Sequence, residues 1–257
     1  MSEIIGRLTG ITEPVELAVD VGSGTGISTA ALAPLAHRTV GVEQSRWMVA
    51  NARCLDNVSY VVANAEALPL SDDCCDLIGV GAALHWFDQE RFLSEAERIA
   101  RRQCSLVVHN HWFMGSIDGR ADFTSWMHET YLTTYPSPPR DRTWQPPEHL
   151  GKWRHVAWER YGHTIAMSPV ELAAYLLTQS NLQVVHQEKE QSVESLRSWL
   201  LEETEQFFEG APRAPFAFGG FVAVHDLLGF VKLDVADGGG SIGTAAMGAA
   251  VAQEVES

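Results

Sequence analysis

The chain predicts an α/β fold, a mainly parallel sheet with helices on both faces and a helical insertion as a cap. Three observations carry that expectation. Short apolar runs alternate with helical stretches from about residue 15 to 112. One run, Val19-Asp20-Val21, passes directly into Gly22-Ser23-Gly24-Thr25-Gly26. Beyond residue 112 the composition shifts toward Trp, Tyr and Pro.

The first strand, Glu16–Val21, reads as buried and parallel, and the three glycines as a tight turn into a helix over about Ile27–Leu35. Glycine has no Cβ, so the backbone can turn sharply and lie against a ligand, with helix N–H groups aimed at it. A second strand, Thr39–Glu43, ends in an acid able to accept hydrogen bonds from both hydroxyls of a ribose. Together these predict a ribonucleoside cofactor site near the N-terminus. The dinucleotide pattern G-x-G-x-x-G is broken, because Ile27 stands where it requires glycine. Further strands are expected at Val58–Ala63, Asp76–Val80 and Leu106–Asn110. Between the last two lies a helix from Asp88, its N-cap, to Arg101, with Phe92, Ala96 and Ile99 on one face. In such sheets ligands bind outside the C-terminal strand ends.

The run Asp20-x-Gly22-x-Gly24-x-Gly26 resembles the first motif of the class I S-adenosylmethionine (SAM) methyltransferases, whose fold is Rossmann-like. The resemblance extends from about Glu16 to Trp112. Glu43 matches that family's ribose-binding acid. Asn64-Ala65-Glu66-Ala67-Leu68-Pro69-Leu70 resembles the segment bordering the adenine, with Asn64 where Asp is usual. An Asn oxygen can still accept from the adenine amino group, more weakly for want of charge. Gly81-Ala82-Ala83-Leu84-His85-Trp86-Phe87 resembles the "HWF" variant found after strand four in small-molecule members. The resemblance implies SAM as cofactor, leaving S-adenosylhomocysteine (SAH). The cofactor residues it implies are Asp20, Gly22, Ser23, Gly24, Gly26, Glu43, Gln44, Met48, Asn64, Ala65, Glu66, Gly81 and His85.

Composition fits a small-molecule acceptor as partner. The net charge of −15 argues against a nucleic-acid backbone, which needs clustered Lys and Arg. No apolar stretch approaches the ~20 residues that span a bilayer, and Met1–Gly10 lacks the apolar core of a signal peptide. A cytoplasmic location is expected, and a homo-oligomer is left open. Cys54, Cys74, Cys75 and Cys104 lack zinc-ligand spacing and read as reduced core or loop residues.

The chain is expected to divide into a cofactor core (1–112), a helical aromatic-rich cap (113–210), closing strands (211–234) and a flexible Gly/Ala-rich tail (235–257). The cap segment, with Trp112 counted in it, holds six of the eight tryptophans and four of the five tyrosines. Ser168-Pro169-Val170-Glu171 is a capping box with Pro at N1, opening a helix to about Ser180. Ser192 caps another, carrying Leu196, Trp199, Leu200 and Phe207. The closing strands are expected at Phe216–Val224 and Leu227–Leu233, with His225-Asp226 as the turn. Only about fifteen residues precede the first strand, where relatives of the resembled family usually carry a helix that helps cover the cofactor.

A methyl group on a sulfonium is already activated, so transfer needs an acceptor atom in line at about 3 Å and a water-poor pocket. An anionic acceptor needs no base, whereas a phenol, amine or carbon acid is helped by one, commonly histidine. His85, after strand four, and His111, at the end of strand five, are the candidate catalytic residues. His109 and His111 share a strand face, with Asn110 opposite. Trp86 and Trp112 are the candidate acceptor contacts. No metal is expected, since the end of strand four offers His85 rather than a carboxylate. Two other readings stay open: a SAM-binding enzyme of the same fold with other chemistry, such as a cyclisation, and a nicotinamide oxidoreductase, disfavoured by Ile27.

Overall fold

The structure, a computed structural model, describes residues 1–117, 119–137, 147–187 and 191–228. The proline-rich stretch 138–146 and the tail 235–257 therefore lie outside the described residues. The chain opens with helix α1 (Ser2–Thr9), strand β1 (Val15–Val21), α2 (Ile27–Leu32, extended by a 3₁₀ turn to Leu35) and β2 (Ala36–Glu43). Next come α3 (Arg46–Ala50), β3 (Val58–Val62), β4 (Cys75–Gly81), α4 (Gln89–Ile99) and β5 (Ala100–Ile117). The remainder is α5 (Ala121–Trp126), α6 (Leu132–Thr134), β6 (His149–Leu150), β7 (Trp153–Met167), α7 (Pro169–Leu177), α8 (Ser180–Gln187), α9 (Val193–Thr204) and β8 (Ala214–Leu227).

The eight strands of the described residues form one sheet in the order β3-β2-β1-β4-β5-β8-β7-β6. The first five are parallel, and β8 runs antiparallel between β5 and β7. This is the Rossmann-like arrangement expected. Parallel strands buried on both faces are continuously apolar, and β1 shows it, with Leu17 to Val21 buried throughout. One face, carrying Ala18, Leu77, Val107 and Val222, packs on Ile5 of α1 and Leu32 of α2. The other, carrying Val19, Ile78, Val80 and Leu106, packs on Phe92, Ala96 and Ile99 of α4. Asp88 caps α4 by accepting from Arg91 N at 3.3 Å.

Several expectations are corrected. The segment 113–210 is not a purely helical cap, because it contributes β7, fifteen residues long, to the main sheet. Its helices α5, α7 and α9 instead pack on the wall formed where β5, β8 and β7 run on past the end of β4, around Phe123, Leu172, Leu196 and Phe216. The first closing strand runs on as β8 to Leu227, and the second, expected at Leu227–Leu233, lies outside the described residues beyond Leu228. His225 and Asp226 are not a turn but pair with Leu106 and Ser105 on one side and His155 and Arg154 on the other. The Ser105 hydroxyl donates to Asp226 at 2.9 Å, which satisfies the polar side chain that had suggested a turn. β5 spans 18 residues rather than five. The Ser168 capping box forms as expected, but its helix stops at Leu177. The residues ahead of β1 do supply a helix, α1, held by the Ser2 hydroxyl on Ala31 O at 2.7 Å.

Candidate functional site

β1 ends at a turn whose glycines all adopt left-handed backbone: Gly22 (φ 73°), Gly24 (55°) and Gly26 (83°). Gly22 N and Ser23 N donate to Val42 O at 2.9 and 3.1 Å, tying the turn to β2. A side chain at Gly22 would meet Ala83 Cβ at 2.6 Å and the Phe87 ring at 3.0 Å, so the turn and the loop after β4 touch across it. A Cβ at Gly26 would strike the Tyr60 hydroxyl. At Gly24 a Cβ would meet nothing nearer than Met48 sulfur at 3.9 Å, so that point of the turn faces open space.

Glu43 closes the turn from β2. Its Oε2 accepts from Gly24 N at 3.0 Å and its Oε1 from Ser45 N at 2.8 Å. The carboxylate is 8% exposed, and each oxygen keeps a lone pair for a further donor. Asp20 sits behind the turn with no exposure. Its Oδ2 accepts from Ser28 at 2.7 Å and Thr29 at 2.6 Å, bracing the turn against α2, while Oδ1 has no partner among the described residues. Burial pushes the Asp20 carboxyl up to about 6, against the pull of the Ser28 and Thr29 hydroxyls and with a smaller push from the Glu43 charge.

The predicted cofactor residues thus separate by depth. Asp20, Ser23 and Gly26 are buried and shape the turn from behind. Gly24, Glu43, Gln44 and Met48 surround its outer side, and Gln44 is exposed. Asn64 is exposed after β3, and Ala65 is buried beside it. Glu66 accepts from Asp88 N at 3.0 Å, which anchors the start of α4. Arg98 of α4 donates to Leu68 O and Leu70 O at 2.9 and 2.7 Å, holding the segment after Asn64 in place. Gly81 ends β4 against the His109 ring and Ser28, each 2.7 Å from where its Cβ would be.

His85 lies in a 3₁₀ turn, exposed, its ring 4.9 Å from that of Trp86, which is 77% exposed. His111 pairs with Gly220 and His109 with Val222, so the two imidazoles share one sheet face as expected. Trp112 points the other way, over Gly219 at 3.2 Å and toward Phe221. His111 and Trp112 therefore stand on opposite faces of β5. Sequence reasoning did not assign Tyr161 and His163, which share the His111 face on β7. The signal was the run Val156 to Ile165, rich in aromatic and β-branched residues. Among the described residues no group of three or more His, Cys, Asp or Glu could hold a metal ion, and no helix is long and apolar enough to cross a membrane.

Residues 19–108 match the family model described as a methyltransferase domain. A candidate methyltransferase of Dictyostelium discoideum is 36% identical over 102 residues, which is 40% of this chain and 39% of that protein. An uncharacterised methyltransferase of Mycobacterium tuberculosis is 29% identical over 148 residues, 56% of this chain and 58% of its own. The chain therefore spans less than two thirds of these relatives. A solved structure of a candidate type II methyltransferase from Anaeromyxobacter dehalogenans is similar over 88% of this chain and 94% of its own, with a TM-score of 0.66 at 20% identity. That likeness is one of fold and includes the segment past residue 108.

Proposed function

We propose that the whole chain, whose residues 19–108 match a methyltransferase domain, transfers a methyl group from SAM to a small-molecule acceptor. One observation carries this reading. The open point of the turn at Gly24 and the buried Glu43 carboxylate are joined by a 3.0 Å hydrogen bond, so a bare backbone and a ribose acceptor face the same place.

The residues present fit SAM. Glu43 would take the ribose hydroxyls on its free lone pairs. Gly24 gives the cofactor room to lie against the backbone. Met48 and the segment from Asn64 would flank the adenine, and Gly81 would border the methionine end. SAM supplies a methyl group made electrophilic by the positive sulfur. The chain positions the acceptor in line and keeps water away. His111 is free to accept a proton, because burial, with help from nearby His163, lowers its pKa and keeps it neutral near pH 7.

Calorimetric titration with SAM, SAH and NAD tests the proposal. Binding of SAM and SAH without NAD supports it. Binding of none, or of NAD alone, overturns it.

A further inference from the structure

Beside the donor turn the sheet builds a second polar place. His109, His111 and Phe113 follow one another along one face of β5, since alternate residues of a strand share a face. The register sets Val222, Gly220 and Phe218 of β8 next to them, and Tyr161 and His163 of β7 beyond. Gly220 leaves a gap between His111 and Tyr161, and the Tyr161 ring lies across it, its hydroxyl donating to Asn110 O at 3.4 Å. His163 stacks on Phe218 at 5.7 Å and 25°, and on Tyr161 at 5.9 Å and 24°. Tyr175 of α7 meets Phe113 and Phe218 edge-on at 5.5 and 5.4 Å, so the floor reaches the cap.

At the other end of this floor stands His109. It is 5% exposed, and neither ring nitrogen meets a partner among the described residues. Its ring abuts Gly81, whose other neighbour, Ser28, donates to Asp20 behind the glycine turn. Buried polar groups are normally satisfied, so two unmet nitrogens point to a ligand or its water. The floor residues named here include no Lys or Arg. The Met1 ammonium acts electrostatically on His109 at the far end, whereas among the described residues the only charge felt by His111 is that of His163; Glu159, on the same face, is already paired with Arg7 at 2.6 Å.

We propose that this floor is the acceptor subsite, and that it takes a neutral ring-bearing hydroxyl compound of the phenol type rather than a carboxylate. The proposal rests on the donor assignment above. Moving a carboxylate out of water is unfavourable unless a cation or several donors meet it. Neutral imidazoles and a phenol hydroxyl instead match one O–H group, which needs one acceptor and one donor. The aromatic side chains suit a ring. Burial lowers His109 to about 4, with smaller effects of His111 and the Met1 ammonium, and burial also lowers His111, so both imidazoles are neutral at pH 7. In the transfer step the acceptor oxygen gives its proton to a ring nitrogen of His111. The O–C bond forms as the C–S bond breaks, the electron pair stays on sulfur, and the proton leaves His111 for water.

The test compares 2-naphthol with 2-naphthoate, similar in ring and differing in charge, on protein saturated with SAH. Histidine ring signals are followed by NMR. Naphthol is expected to bind at least tenfold more tightly than naphthoate and to move the His111 and His163 signals. His111→Gln should weaken naphthol at least fivefold while SAH affinity stays within twofold, which also shows that the variant is folded. Equal or tighter binding of naphthoate overturns the proposal. So does naphthol affinity unchanged in His111→Gln, or no naphthol binding to SAH-loaded protein. If SAH itself fails to bind, the donor assignment falls, and this proposal with it.

Discussion

Replacing Glu43 by Gln removes a charge and one acceptor from a carboxylate that has two backbone partners. In the structure both oxygens are engaged, one by Gly24 N and the other by Ser45 N, in a side chain only 8% exposed. A glutamine can satisfy one N–H and must turn its own N–H₂ toward the other. The lost bond is charge-assisted, of a kind that contributes about 1.5–3 kcal/mol. For a chain of this size each kcal/mol lowers Tm by about 2–4 °C, so Tm should fall by about 3–12 °C. SAH binding loses the charged ribose acceptor as well and should weaken about 10–100-fold, at about 1.4 kcal/mol per tenfold. Calorimetric titration with SAH and thermal unfolding measure the two effects separately. A drop in affinity with unchanged Tm would mean that Glu43 serves the ligand but does not tether the turn. An SAH affinity within twofold of wild type would refute the assignment of Glu43 altogether.

Four further outcomes are expected. Gly24→Val puts a branched side chain at φ 55° into the open side of the turn. It should abolish SAH binding by calorimetry while the far-UV circular dichroism of the fold is retained. Gly220→Val drives a Cβ into the Tyr161 ring and within 2.6 Å of Asn110 O; urea unfolding should show a loss of about 1–3 kcal/mol, as for overpacking. Phe123→Ala empties a fully buried site ringed by Phe113, Trp126, Phe207 and Phe216. It should cost about 3–5 kcal/mol and speed hydrogen exchange in the cap helices, with SAH affinity within threefold. Asp20 is pushed above its exposed value of 3.8 to about 6, so between those values the folded chain holds a proton that the unfolded chain lacks. The stability it contributes thus falls as pH rises through that window. Wild-type stability relative to Asp20→Asn should drop by about 2 kcal/mol from pH 4 to pH 7, at 1.36 kcal/mol per unit, and a flat difference would contradict this.

What the sequence disclosed was written in short-range chemistry. Left-handed turns demand glycine, so Gly22, Gly24 and Gly26 were readable one by one. Asp88, Ser168 and Ser192 announce helix starts because a cap needs only its own first turn. Glu43 stood out as the polar end of an apolar strand. The antiparallel half was obscure because pairing is non-local. Strand β7, covered on its outer side only by the two-residue β6, carries Glu159 and Arg160 in mid-run and has no strictly alternating apolar face. His225-Asp226 reads as a turn until Ser105, 121 residues away, takes up the aspartate. For the same reason Tyr161 and His163 could not be placed beside His111. Only the register across Gly220 brings them together.

One strand joins the two sites. The lower part of β5, up to His109, pairs in parallel with β4, whose end at Gly81 packs on Ser28, the residue that donates to Asp20 behind the glycine turn. Its upper part, from His111 to Ile117, leaves β4 behind and pairs with β8 alone as part of the antiparallel wall. The cap rests on the same wall through Phe113, Phe216 and Phe218. The spacing between the donor turn and His111 is therefore fixed by a continuous ladder and not by a loop. Sites on rigid elements hold their geometry better than sites on loops. It follows that loosening the cap should change how acceptors enter and how well water is excluded, while leaving the position of His111 relative to Gly81 unaltered. Phe123→Ala separates these roles. With the cap loosened, SAH should still bind and the His111 ring should keep its titration midpoint in SAH-loaded protein. A shifted midpoint would show that the cap, and not β5, sets the geometry of the site.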